Sequence, residues 1–202
     1  MKFLQNISPA TRVLTPADAE AYLSVRLRAL HEQPPAFGSL PEGEPNLSET
    51  AVRLQESEDR CFFGAFQNEQ LIGIVRISRY SALNEKHRAY LGGLYVLPSF
   101  RGQGCGRALV REALSWAAIA PGVTSGITPD ITPGITPGIT PGIRRINLTV
   151  VTQQEAAIRL YQSLGFHIYG TEQETFSRDG QFYDEYLMTL KLSSDIALRN
   201  VS

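Results

Sequence analysis

HRAYLGGLYVLPSFRGQGCGRALVREALSWA, residues 87 to 117, is the stretch whose reading decides the fold. Leu91 to Val96 reads as a strand, apolar with Gly92 and Gly93 inside it. Two glycines there weaken regular pairing and suggest either a bulge with close backbone approach or a merely irregular strand. Pro98 stops the strand, and Arg101 to Gly106 (RGQGCG) is a tight loop with three glycines. From Arg107 onward Leu109, Val110, Ala113, Leu114 and Ala117 recur at helical spacing. The unit is therefore strand, glycine loop, helix. A helix N-terminus leaves backbone N–H groups unpaired and carries partial positive charge. Glycines keep side chains out of the way of an anion, so the loop suits a pyrophosphate. Spacing limits which one. The glycines fall at 102, 104 and 106, with Arg107 where G-x-G-x-x-G needs its last glycine, and no G-K-[ST] follows. A dinucleotide-dependent oxidoreductase is further disfavoured because no acidic ribose partner follows the next strand.

Working outward, 202 residues with 43% hydrophobic composition read as one α/β domain over 1–192, followed by a loose polar tail at 193–202. The net charge of −1 argues against a nucleic-acid surface. No apolar run reaches the length of a membrane span, and the N-terminus lacks a secretory apolar core. Cys61 and Cys105 are too few for a disulfide framework and lack metal-ligand spacing, so no metal is expected and a cytoplasmic location is. A short strand at 11–14 precedes a helix capped by Thr15-Pro16-Ala17-Asp18, which carries Ala19, Tyr22, Leu23, Leu27 and Leu30 on one side and ends at Pro34-Pro35. Asn46-Leu47-Ser48-Glu49 starts a second helix, through about Glu56. Strands at 61–66 and 71–78 flank a turn at 67–70. Residues 121–143 carry an ITPG repeat whose prolines forbid helix and remove sheet donors; it reads as a surface loop inserted between helix and strand. Ile146 to Val151 is a buried-type strand, and Thr152-Gln153-Gln154-Glu155 reads as a capping box for a helix at 156–164 closed by Gly165. Phe166 to Tyr169 begins another strand, and Asp179-Gly180 marks a hairpin between 175–178 and 181–190.

The loop Arg101-x-x-Gly104-x-Gly106 after a strand, together with A-x-x-x-Y-x-x-x-G-F (Ala157, Tyr161, Gly165, Phe166), resembles motifs of the GNAT superfamily of N-acetyltransferases. RLRAL at 26–30, KHRAYLGGLYV at 86–96 and YDEYLMTLKL at 183–192 are similar to a broad bacterial-type subgroup. The resemblance implies a mixed, splayed sheet of about six to seven strands flanked by about four helices. It implies acetyl-CoA as co-substrate, lying in a V between Leu91–Val96 and Ile146–Val151. Backbone donors of Arg101, Gly102, Gln103, Gly104, Cys105, Gly106 and Arg107 would hold the pyrophosphate, with Tyr95 and Val96 pairing to the pantetheine amides and Gln154 touching the cofactor. A backbone N–H of the splayed strand would support the oxyanion. Tyr161 would be the catalytic acid toward the leaving thiolate. The acceptor would be a small-molecule or peptide amine, with no nucleic-acid or membrane partner, on a monomer or homodimer. Two departures stand out: Gln154 occupies a position where asparagine is frequent, and Tyr90 one where many relatives carry a glutamate base. His87 and Glu85 lie just upstream; His87 has a suitable reference pKa of about 6.5. A non-catalytic acyl-CoA sensor of the same fold is the alternative reading.

Overall fold

The computed structural model describes residues 9–32, 36–120 and 142–192. Over these the chain forms β1 (Ala10–Val13), α1 (Ala19–Glu32), α2 (Leu47–Arg53), β2 (Arg60–Gln67), β3 (Gln70–Arg79), β4 (Arg88–Val96), α3 (Cys105–Ile119), β5 (Arg145–Val151), α4 (Glu155–Ser163), β6 (His167–Arg178) and β7 (Gln181–Lys191). The strands make one seven-stranded sheet in the order β1-β2-β3-β4-β5-β7-β6. Neighbours are antiparallel except β4 and β5, which are parallel and joined by a crossover through α3. This is the mixed sheet with four flanking helices that the resemblance implies. The Pro34-Pro35 stop, the ITPG repeat up to Pro141 and the tail at 193–202 lie outside the described residues.

Short-range chemistry sets most boundaries. Thr15 and Asp18 form a reciprocal cap over a 3-10 turn at Pro16–Asp18 that leads into α1. Asn46 accepts from the Glu49 N–H and Glu49 reaches back to the Asn46 N–H, which starts α2. The turns at Asn68-Glu69 and Asp179-Gly180 have positive φ at both central residues, the geometry whose twist matches the flanking strands.

Four details differ from the sequence reading. Strand β4 begins at Arg88 rather than Leu91, because Ala89 and Tyr90 are paired on both sides, to β3 and to β5. Helix α1 fully buries Val25 and Ala29, whereas Leu23 and Leu27 are only half-buried. The Thr152 capping box does not form: α4 starts at Glu155 with Gln154 at its N-cap, and no side chain caps it. The Thr152 N–H instead donates to the carbonyl of Asp184 on β7, so a cross-strand bond outcompetes the local cap. Strand β6 is continuous from His167, its register shifts beside Gly170 and before Phe176 absorbing the polar interval that separates the two runs in the sequence.

Two layers cover the middle of the sheet. Phe62 and Arg76 are register partners and so share a face; Tyr22 of α1 meets the Phe62 ring edge-on, centroids 5.4 Å apart. Gly73 points to the opposite face, where a Cβ would lie 3.1 Å from Leu109 Cδ1 and 3.2 Å from Cys105 Sγ of α3. The glycine is what lets α3 settle this closely. Ile77, Leu91, Leu109, Ile146 and Met188 are fully buried in the resulting core. Leu109→Ala is expected to cost about 2–5 kcal/mol. A urea titration checks this, the midpoint falling while the m-value stays unchanged.

Candidate active site: a cleft where two parallel strands part

Strands β4 and β5 pair only at Arg88–Arg145, Ala89–Ile146 and Tyr90–Asn147. Beyond Tyr90 the ladder stops. On the other side of β4 the register slips: Arg76 pairs with Gly92 but Ile74 with Tyr95, so Val75 faces two residues, Gly93 and Leu94. Gly93 takes φ +68°, which a side chain would strain. The glycine pair therefore marks a bulge, and bulges bend and twist a strand. Strand β5 meanwhile stays paired to β7 from Arg145 to Val151. A cleft of about 1070 Å³ opens between the diverging strands. Its lining includes β4 from Tyr90 to Val96, Thr149 and Val150 of β5, the glycine loop, and residues of α1 and α4.

The glycine loop sits at one side of this opening. Helix α3 starts at Cys105, two residues before the apolar spacing begins, with Gly104 at its N-cap in the left-handed region (φ +82°). Gly102 is left-handed as well (φ +74°), and the space where either glycine would carry a Cβ is open. The first helical bond runs from the Ala108 N–H to the Gly104 carbonyl, so the N–H groups of Cys105, Gly106 and Arg107 have no partner within the helix. Gly104 has no side chain to cap them, and an anion can. Gly106 does something different: a Cβ there would stand 3.3 Å from Leu160 Cδ2, so it admits α4 against α3.

The other sequence-predicted residues divide. Gly102, Gly104, Cys105, Gly106, Arg101, Arg107, Tyr95, Val96, Gln154 and Tyr161 all line the cleft. Gln103 does not; its side-chain amide donates to the Ser99 carbonyl and ties the loop to itself. Arg101 donates from Nε to the Val96 carbonyl, 2.9 Å, and its guanidinium lies 5.5 Å from the Tyr95 ring centre. The Val96 carbonyl is thus already engaged, which leaves its N–H and the neighbouring edge for any ligand. Arg107 donates to Ser163 Oγ. Tyr95 is buried with its hydroxyl donating to Glu32 of α1, and burial first, then this bond, pushes the phenol up to about 12. Cys105 is 2% exposed, and burial pushes its thiol up to about 11, so it is a packed side chain and not a nucleophile. Tyr161 is buried edge-on to Phe166; burial, with a smaller contribution from Tyr90, raises its phenol well above the ordinary value.

His87 and Glu85 are at the wrong end. The His87 carbonyl accepts from the Arg144 and Arg145 N–H groups where β4 and β5 are still closed, and Glu85 is ion-paired to Arg88. Neither lines the cleft. What lines it instead is a hydrogen-bonded string: the Tyr90 and Thr149 hydroxyls are 2.9 Å apart, and Thr149 donates to Glu185 Oε1 at 3.1 Å. Burial raises the Glu185 carboxyl above the ordinary carboxylate range, offset in part by the Thr149 bond. Sequence reasoning missed Glu185. The only local signal was its place in the alternation of β7, and nothing there reveals that it faces Thr149 across the sheet.

This geometry, parallel strands splayed beside a glycine-capped helix, defines a class of acyl-CoA-dependent acyltransferases. The sequence pattern of the Acetyltransferase (GNAT) family matches residues 26–128, and the chain belongs to that family. It is 28% identical over 113 residues, 54% of this chain and 67% of the relative, to an aminoglycoside N(6')-acetyltransferase type 1 of Stenotrophomonas maltophilia. Among solved structures it is similar to a GNAT-family acetyltransferase from Streptococcus pneumoniae, at 24% identity and TM-score 0.73, covering 91% of this chain and 99% of that one. A protein of Salmonella typhimurium assigned as an acetyltransferase and solved with its cofactor acetyl-CoA matches at 19% identity and TM-score 0.71, covering 92% and 94%.

Gly104→Val tests the loop. The substitution forces a β-branched residue into the left-handed region, about 1–2 kcal/mol of strain, and places methyl groups where an anion would sit. Calorimetry should find coenzyme A affinity reduced at least about tenfold, with the thermal transition still cooperative.

Proposed function

We propose that the chain transfers the acetyl group of acetyl-CoA to a primary amine by direct attack, in a single domain into which the ITPG segment at 121–143 is inserted as a surface loop. One observation carries this reading: the strands part directly beside the uncapped N-terminus of α3, leaving a groove with anion donors at one end and unpaired strand edge along its wall. A pyrophosphate fits the N–H groups of Cys105, Gly106 and Arg107, with Arg101 and Arg107 adding charge. An amide-bearing arm fits the edge of β4 past Tyr90, in the manner of an added strand. Gln154, at the N-cap of α4, has its side-chain amide free of any capping bond and lies along the same wall.

Acetyl-CoA supplies an acyl group already activated as a thioester. The residues of the chain hold and move protons around it. The amine must be neutral to attack and must shed a proton as it acylates. Glu185 is the acceptor for that proton, directly or through the Thr149 hydroxyl, and its raised pKa makes it a better base than an ordinary carboxylate. On the α4 wall of the cleft, Tyr161 would serve the leaving sulfur. With a phenol raised by burial it is a poor acid toward a thiolate whose conjugate pKa is about 8.5. Its contribution is therefore a positioned hydrogen bond to the departing sulfur rather than a full proton transfer. A non-catalytic acyl-CoA sensor has no use for this hydrogen-bonded string with a carboxylate at its end beside the cleft. Turnover of acetyl-CoA against an amine panel, with binding measured in parallel, separates the two.

Two variants test the roles. Tyr161→Phe should lower the single-turnover rate about a hundredfold with acetyl-CoA affinity near that of the parent; a rate within a few-fold removes the hydroxyl from the chemistry. Glu185→Gln tests the base by its pH profile. Below the amine pKa, kcat/KM of the parent falls with one proton, then with two once pH drops through the raised Glu185 pKa. The variant should show only the first slope, at a lower plateau.

A further inference from the structure

The part of the cleft away from the glycine loop is lined by arginine. Arg26, Arg53 and Arg76 all reach it, beside the half-buried Tyr22 of α1. Arg26 is matched: it forms a part-buried ion pair with Glu44 at 2.8 Å and lies over the Phe37 ring. Arg76 is not. Its Nε is buried with no hydrogen-bond partner, and no carboxylate among the described residues stands within ion-pairing distance of it. Arg76 is half-buried and lines the cleft, so burial leaves its Nε without a partner while the rest of its planar fork is turned to the cavity. A planar fork of donors on a cleft wall suits a carboxylate- or phosphate-like partner.

The space for that partner is defined. Arg76 pairs in register with Gly92, and Gly92 has no side chain to fill the position between them and Tyr90. A Cβ on Gly92 would lie 3.8 Å from an Arg76 Nη and 3.0 Å from the Tyr90 ring. Arg76, Gly92 and Tyr90 therefore share one face of the sheet, and the Tyr90 hydroxyl leads through Thr149 to Glu185. An unmatched cation and a carboxylate base face the same cavity, joined by one short run of side chains.

We propose that the acceptor is a small primary amine that also carries a carboxylate, of amino-acid type. Its carboxylate is held by Arg76 over Gly92 and its amine is directed toward Glu185. The assignment rests on the acetyl-transfer reading above and deepens it. It also separates this chain from its aminoglycoside-modifying relative, because a polycationic sugar would bring positive charge against Arg53 and Arg76. Arg53, exposed on the last turn of α2, adds attraction for an anion at the mouth.

The test is turnover of acetyl-CoA with each of the twenty amino acids against its α-carboxamide, which keeps the shape and removes the charge, and with kanamycin as a polycationic acceptor. The parent, Arg76→Gln and Arg76→Lys are compared, with acetyl-CoA affinity measured for each. At least one amino acid should exceed its amide by tenfold or more in kcat/KM. Arg76→Gln should raise KM for that acid roughly ten- to a hundredfold, leave the amide unchanged and leave acetyl-CoA affinity unchanged, while Arg76→Lys retains part of the preference. A preference for amides or for kanamycin, an equal loss on acid and amide in Arg76→Gln, or no turnover of any amino acid by a protein that binds acetyl-CoA would overturn the proposal. Failure of the parent to bind acetyl-CoA would overturn the acetyl-transfer reading beneath it.

Discussion

Strand β5 cannot pair along its whole length with both of its neighbours, and this conflict shapes the molecule. It is antiparallel to β7 over all seven of its residues but parallel to β4 over three. The bulge at Gly93-Leu94 keeps β4 on β3 while turning it away from β5. The closed end is held by the His87 carbonyl, which accepts the N–H groups of Arg144 and Arg145. The open end leaves strand edge facing a cavity. Backbone groups left without partners away from water are unfavourable, so such an edge favours a ligand that brings amides of its own.

The charges around the cleft follow the same division. On one side the N-terminus of α3 and the side chains of Arg101 and Arg107 offer positive potential to an anion. On the other, Arg26 is neutralised by Glu44 and Arg76 is left unmatched. Glu185 is the negative group in reach of the Tyr90–Thr149 string, and its burial makes protonation easier than for a solvated carboxylate. The two tyrosines that the motif and strand place in the cleft differ in kind. Tyr95 is tied to Glu32 and braces α1 against β4, whereas Tyr161 is buried edge-on to Phe166.

Much of this architecture is legible in the sequence because it depends on neighbours in the chain. The glycines at 102 and 104, the switch from strand to helix and the Asp179-Gly180 turn are set by φ preferences and periodicity within a few residues, and the structure carries each of them. The glycine pair at 92–93 announced an irregularity, and the bulge is there. Where short-range signals competed with long-range bonds, the sequence misled. Thr152 has the residues of a cap within reach, yet its N–H is claimed by Asp184 of a strand more than thirty residues away.

The chemistry of the cleft divides along the same line. Tyr161 and the loop belong to contiguous motifs, so their places along the cleft wall follow from the chain itself. Glu185 and Arg76 carry no motif, and a lone Glu or Arg in an alternating strand reads as surface. They reach the cleft only because β7 brings Glu185 to Thr149, and because β3 sets Arg76 opposite a residue with no side chain. Conversely, His87 looks suitable by type and lies at the closed end of the strand pair. The sequence by itself determined which backbone segments bend, cap and pair, since those preferences are local. Only the tertiary structure decided which titratable groups share the cleft, because pairing across the sheet brings together residues that the chain holds far apart.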